Sequence, residues 1–229
     1  MEDRMLNVTT LGAAGTRNRV LRNTYNLLAL SMLPTIAGAW LGVQLNFASV
    51  FAGSPIMGTL LMIAAMFGLI FAIRRYQHST TGVVLLLGFT FVMGLMISNT
   101  LQWTLRFSNG GSLIAMAAGG TAVIFFGMST LATVIKRDLS GLGNFLFIGV
   151  LLLIAAGIAN MFFQIPALQL TLAVIGCALF SVWLLYDLNR IVTGGETNYI
   201  SATLSVYLDL VNIFVNLLQI LGIFGGDRD

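Results

Sequence analysis

The chain is short of charge. Of its 229 residues only 8% are Asp, Glu, Lys or Arg, against about 25% in an ordinary soluble domain, and a water-soluble globule could not coat itself with so few. Cysteine is nearly absent too: the single Cys177 lies inside an apolar run, which excludes an intramolecular disulfide, a cysteine-based zinc site and a dithiol redox pair. The one histidine, His78, sits in a short interfacial stretch with no second histidine at ligand spacing. No nucleophile stands beside a base and no phosphate loop is present, so neither an enzyme nor a cofactor is expected. The net charge of +3 is too small and too scattered for a nucleic-acid surface.

What the sequence does have is apolar length. Hydrophobic residues make up 58% and the mean hydropathy is +0.94. Apolar runs fall at roughly 25–46, 54–73, 82–103, 113–135, 144–163, 167–187 and 202–223. Each is about 20 residues, which at a rise of about 1.5 Å crosses a hydrocarbon core of about 30 Å. None alternates as a barrel strand would. The expectation is an all-α, polytopic membrane protein, with seven transmembrane helices in one bundle over 25–229 and a polar cytoplasmic N-terminal tail over 1–24. That tail lacks the apolar stretch and small-residue cleavage site of a secretory signal, so no cleavage is expected. Pro55 and Pro166 stand at the first helical positions of the second and sixth runs, where a missing amide costs least. Pro34 lies within the first run. The longest loop is expected between the sixth and seventh helices, at about 14 residues.

Alternate sides of such a bundle differ in charge. Arg4, Arg17, Arg19, Arg22, Arg74, Arg75, Lys136, Arg137 and Arg190 share one side, leaving Arg106 and Arg228 on the other. The positive-inside bias then puts the N-terminus in the cytoplasm and the C-terminus outside.

Two acids break the apolar pattern. Asp187 closes the sixth run in SVWLLYDLNRI, and Asp209 lies about seven residues inside the seventh; a carboxylate at that depth must be paired, solvated or protonated. The two helices share a cytoplasmic loop, so the acids occupy the same half of the membrane and could meet. If they touch, they should share one proton, because two ionised carboxylates in a low-dielectric site repel. Ser205, Asp209, Asn212, Asn216 and Gln219 fall within about 80° of helix circumference, a stripe that either faces a water-filled path or glues helices together. At the basic end of the second run, FAIRRYQH, Arg74 or Arg75 either snorkels to the headgroups or turns inward as a latch on a carboxylate of similar depth.

Weaker signals complete the reading. The pairs Gly38/Gly42 and Ala64/Gly68 suit close helix packing. Asn99, Gln102, Ser129, Thr133 and Asn160 either line the same interior or bond between helices. In GGETNYI, Gly194 and Gly195 supply a turn, and Thr197 or Asn198 a helix cap.

These residues resemble a known family. The strings YDLNRI and VYLDLVNIFVNLLQILG, which carry Asp187 and Asp209, resemble the Bax inhibitor-1 (transmembrane Bax inhibitor motif) family. The resemblance runs over essentially the whole chain, including GGTAVIFFGMS and KRDLSGLG. VLRNTY and GGETNYI are most similar to a proteobacterial branch that includes a modulator of the membrane-bound protease FtsH. It implies a seven-helix fold in the bacterial cytoplasmic (inner) membrane and a pH-sensitive calcium leak, with Asp187 and Asp209 as the proton sensor and Arg74, beside Arg75, as the gate arginine.

Two functions are therefore expected. The first is a pH-gated cation pathway lined by Ser205, Asn212, Asn216 and Gln219, in which Asp187 and Asp209 hold calcium transiently and protons compete with it. The alternative is a non-transporting regulator in the lipid bilayer that binds a membrane protease such as FtsH, through its helices and its N-terminal tail.

Overall fold

The computed structural model describes residues 2–47, 49, 53–135 and 137–226. Of the cations used to orient the chain, Lys136 and Arg228 lie outside the described residues, and only the backbone of Arg4 and Arg17 is described. Seven α-helices follow one another: α1 Glu2–Gln44, α2 Pro55–Arg75, α3 Thr80–Thr104, α4 Gly110–Val134, α5 Gly143–Phe163, α6 Pro166–Thr193 and α7 Tyr199–Gly225, with a 3-10 turn at Ser140–Leu142. No strand occurs among the described residues. Six segments are long and apolar enough to cross a membrane: Asn18–Gln44 of α1, then α3, α4, α5 with its preceding turn, α6 and α7. The run at 54–73 forms α2.

Local chemistry sets the boundaries. Pro55 and Pro166 do open α2 and α6, where the proline ring presets φ and no amide is lost from the ladder. The segment 1–24 is helical from Glu2 and enters the first span without a break, and α1 continues through Pro34. The α6–α7 loop is a correction to the sequence reading: it is 194–198, not about 14 residues, because α6 continues six residues past Asp187 to Thr193 and α7 begins at Tyr199, before the apolar run at 202–223. It stops at Gly194, whose φ of 88° lies in the left-handed region open to glycine. Outside the membrane, the turn before α5 is pinned by Asp138, which accepts from the Ser140 amide and hydroxyl at 2.9 Å each. Those bonds favour the charged form and hold the Asp138 carboxyl below the usual carboxylate range.

Helix α7 is the axis of the bundle, in contact with α1, α2, α3, α4 and α6. The main core collects on it: Tyr207, Val206, Ile213 and Leu204 meet Phe89 and Leu86 of α3, Ile73 of α2, and Leu184 and Leu188 of α6. Helix α1 lies along α3 with backbones nearly touching. A Cβ on Gly38 would run into the Phe91 carbonyl, one on Gly94 into the Thr35 carbonyl, and one on Gly42 into the Ser98 side chain. The other small pair, Ala64 and Gly68, is exposed, and Gly68 has open space around it. Helix α5 is the outlier, packed only on α6 and the 3-10 turn among the described elements.

Candidate functional site

The α6–α7 hairpin positions the two acids. Its loop is tied by the Arg190 carbonyl, which accepts from the amides of Gly195 at 2.8 Å and Glu196 at 3.1 Å. Asn198 caps α7 by accepting from the amides of Ile200 and Ser201, and its Nδ2 donates to the Gln77 carbonyl at 2.8 Å. Ser201 Oγ donates to Gln77 Oε1 at 2.5 Å, so the loop is bolted to the segment between α2 and α3. The lone His78 is exposed and has Nδ1 3.3 Å from Asn198 Nδ2.

From that fixed end, Asp187 stands six residues before the end of α6 and Asp209 ten residues into α7. The helices run antiparallel, and the two carboxyls come within hydrogen-bonding contact of each other. A hydrogen bond between two carboxyl groups needs a proton on one of them. Asp209 is buried, and its Oδ2 has no partner among the described residues.

The pair opens onto a cavity of about 960 Å³ between α5, α6 and α7. It exists because α5 and α7 both pack on α6 and do not meet. All five residues of the polar stripe, Ser205, Asp209, Asn212, Asn216 and Gln219, border it together with Asp187. Asn212 donates its Nδ2 to the Leu208 carbonyl at 2.8 Å, and Asn216 its Nδ2 to the Asn212 carbonyl at 2.7 Å. Each amide nitrogen is thus engaged with the helix one turn back, which fixes the side chain and leaves its oxygen for the cavity. A Cβ on Gly176 of α6 would sit 2.8 Å from Asn216 Oδ1, so glycine makes room for that amide. The two amides, turned the same way, offer their oxygens as acceptors on the wall that carries Asp209, while the rest of the lining is largely apolar. Among the described residues no cluster of three or more His, Cys, Asp or Glu could hold a resident metal.

One cation forms an ion pair with the acids among the described residues. Arg190 Nη1 lies 4.0 Å from Asp187 Oδ1, one helical turn on, with its guanidinium 5.7 Å above the Tyr186 ring. Arg74 and Arg75 are exposed on the last turn of α2 and form no ion pair among the described residues, although the charge of Arg74 reaches Asp187. Arg190 was legible as the i+3 position in DLNR, and was missed because the apolar run ends at Asp187 while the helix does not. Also missed was Trp183, whose buried Nε1 has no partner among the described residues and which borders the cavity. Of the weaker candidates, Asn160 lines the cavity. Gln102 instead bonds to the Gly42 carbonyl, Ser129 to Tyr25 and Thr133 to the Thr130 carbonyl, while Asn99 is exposed.

A bundle with six segments long and apolar enough to cross a membrane, and an acid pair set among them, defines a polytopic membrane protein. The chain belongs to the Bax1-I family, described as inhibitor of apoptosis-promoting Bax1, whose model matches residues 17–226. It is 40% identical to an uncharacterised protein of Neisseria meningitidis serogroup A over 215 residues, 93% of this chain and 94% of the relative. It is 37% identical to the modulator of FtsH protease YccA of Escherichia coli K12 over 210 residues, 92% of each chain. An uncharacterised membrane protein of Vibrio cholerae is 35% identical over the same share.

Proposed function

We propose that this protein is a pH-responsive cation leak, with calcium as the permeant ion, in a bacterial inner membrane. The carrying observation is the contact between Asp187 and Asp209 at the end of a cavity bordered by amide oxygens. With one proton shared, the pair is nearly matched by Arg190, and cation attraction is weak. Loss of that proton adds a second negative charge, which either recruits a hard divalent cation to oxygen ligands or draws in Arg74, the gate arginine, with Arg75 beside it. In this reading all seven helices span, and the cation bias sets the N-terminus in the cytoplasm. The name of a relative, inner membrane protein YccA, supports the location.

The test is calcium influx into proteoliposomes from about pH 5 to about pH 8. The expected result is a sigmoidal pH dependence that Asp187→Asn and Asp209→Asn both flatten. Equal flux at every pH for the parent and both variants would remove the acids from the mechanism.

A second reading rests on the name of the Escherichia coli relative: this chain modulates an FtsH-type membrane protease, with the segment 1–24 as the docking arm. Co-purification with such a protease from native membranes, lost on deleting residues 2–17, is the expected result. Retention without that segment would move the contact to the bundle.

A further inference from the structure

On the side of α7 away from the acids lies a second cavity, a groove of about 790 Å³ walled by α1, α3, α4 and α7. Helices α1 and α4 both pack on α7 but their backbones stay apart, touching through side chains at Tyr25, which bonds to Ser129 and packs edge-on against Phe125. The reason lies in α1, which glycines at 38, 42 and 94 press so closely onto α3 that its other flank stands off from α4. The groove therefore opens sideways, toward the membrane interior, with Ile36, Trp40 and Phe126 at its lips, each about two-thirds exposed.

Inside, the groove is dry chemistry. Thr35 Oγ1 donates to the Ser31 carbonyl at 2.9 Å and lies 2.8 Å from the Tyr207 hydroxyl, while Thr121 Oγ1 donates to the Ala117 carbonyl at 2.8 Å. Its hydroxyls are thus already engaged, and the remaining surface is almost wholly aliphatic and aromatic. Away from Gln44 at one end, water or an ion would find nothing to bond to. At one end the groove reaches Gln44 and Leu105, and the next residue, Arg106, is exposed. Arg106 is the one Lys or Arg among the described residues at that end of the bundle.

We propose that this groove binds an acyl chain of an anionic phospholipid, with the lipid phosphate held at Arg106. Size favours a chain over a protein segment: a transmembrane helix 10–12 Å across and about 30 Å long fills roughly 2,500 Å³, several times this space. Charge favours an anionic headgroup, because a guanidinium matches phosphate geometry, and Trp40 is placed as an interfacial aromatic would be.

The experiment is native mass spectrometry of the full chain, purified in mild detergent with equal amounts of phosphatidylglycerol and phosphatidylcholine. The parent protein should retain one phosphatidylglycerol. Ala118→Phe and Ala39→Phe, which fill the groove, should lower that occupancy at least tenfold. Arg106→Gln, on an exposed turn that leaves the fold untouched, should keep a lipid but lose the preference for phosphatidylglycerol. Thermal melts of each variant separate lipid loss from misfolding, and Arg106→Gln carries the test if a filled variant does not fold. Parent-level retention in folded, filled variants would overturn the proposal. So would an unchanged headgroup preference in Arg106→Gln, or a polypeptide, not a lipid, displaced by Ala118→Phe.

Discussion

Along one face of α7, Ser205, Asp209, Asn212, Asn216 and Gln219 border a cavity in which Asp209 Oδ2 and Trp183 Nε1 have no partner among the described residues. Along the opposite face, Tyr207, Leu210, Val211 and Phe214 border a groove whose hydroxyls are already bonded to one another or to carbonyls. Both spaces are close to 1,000 Å³ or somewhat less, and one helix separates them. A polar group inside a membrane must be satisfied by protein or by water that follows it in. Asp209 Oδ2 and Trp183 Nε1 sit where the space is polar and roomy enough to hold water, and among the described residues no buried side-chain atom without a partner borders the groove. Helix α7 accordingly has two interior faces of opposite character.

The largest test of that difference uses neighbouring positions. Leu210→Asp puts a carboxylate on the dry face at a site only 8% exposed, and the cost should be at least about 3 kcal/mol. Asn212→Asp puts the same group on the polar face, where the cavity can solvate it, and should cost clearly less, about 1–2 kcal/mol, from repulsion by Asp209 one turn back and the lost bond to the Leu208 carbonyl. Thermal unfolding in detergent measures both. Equal losses would mean that the two faces share one environment.

A smaller effect should ignore the distinction. Asn198 lies at the start of α7, before either face has begun, and holds the helix cap and the Gln77 carbonyl together. Asn198→Ala should cost about 1–2 kcal/mol. It should raise hydrogen exchange of the first α7 turn and of 76–79 alike. Protection lost on one side only would show that the loop serves one cavity.

How much of this could be read in the sequence depends on the length scale. The polar stripe was legible because 3.6-residue periodicity needs no partner to be seen, and Asp187 and Asp209 were placed in one half of the membrane by the shared loop. Arg190 was not recognised as the ion-pair partner, because hydropathy ends a helix where apolarity ends, whereas the backbone ends it at Gly194. The groove could not be read at all. It depends on how closely α1 lies against α3, and the small pair at Gly38 and Gly42 looked no different from the pair at Ala64 and Gly68, which leaves open space around Gly68.

The finest comparison removes one hydroxyl from each face. Tyr207 is fully buried, and its hydroxyl lies 2.8 Å from Thr35 Oγ1, joining α7 to α1 across the floor of the groove. No water can replace that bond in a dry site, so Tyr207→Phe should lose about 1 kcal/mol. Thr35 keeps its bond to the Ser31 carbonyl, which limits the loss to the Thr35 contact and a longer one, 3.4 Å, to the Thr90 carbonyl. Ser205 borders the polar cavity, where solvent can replace whatever its hydroxyl touches, and Ser205→Ala should stay within about 0.5 kcal/mol of the parent. Paired melts of the two variants give the difference directly. A Ser205→Ala loss as large as that of Tyr207→Phe would show that the acid-bearing cavity is as tightly closed to water as the groove, and a path for ions could not then run through it.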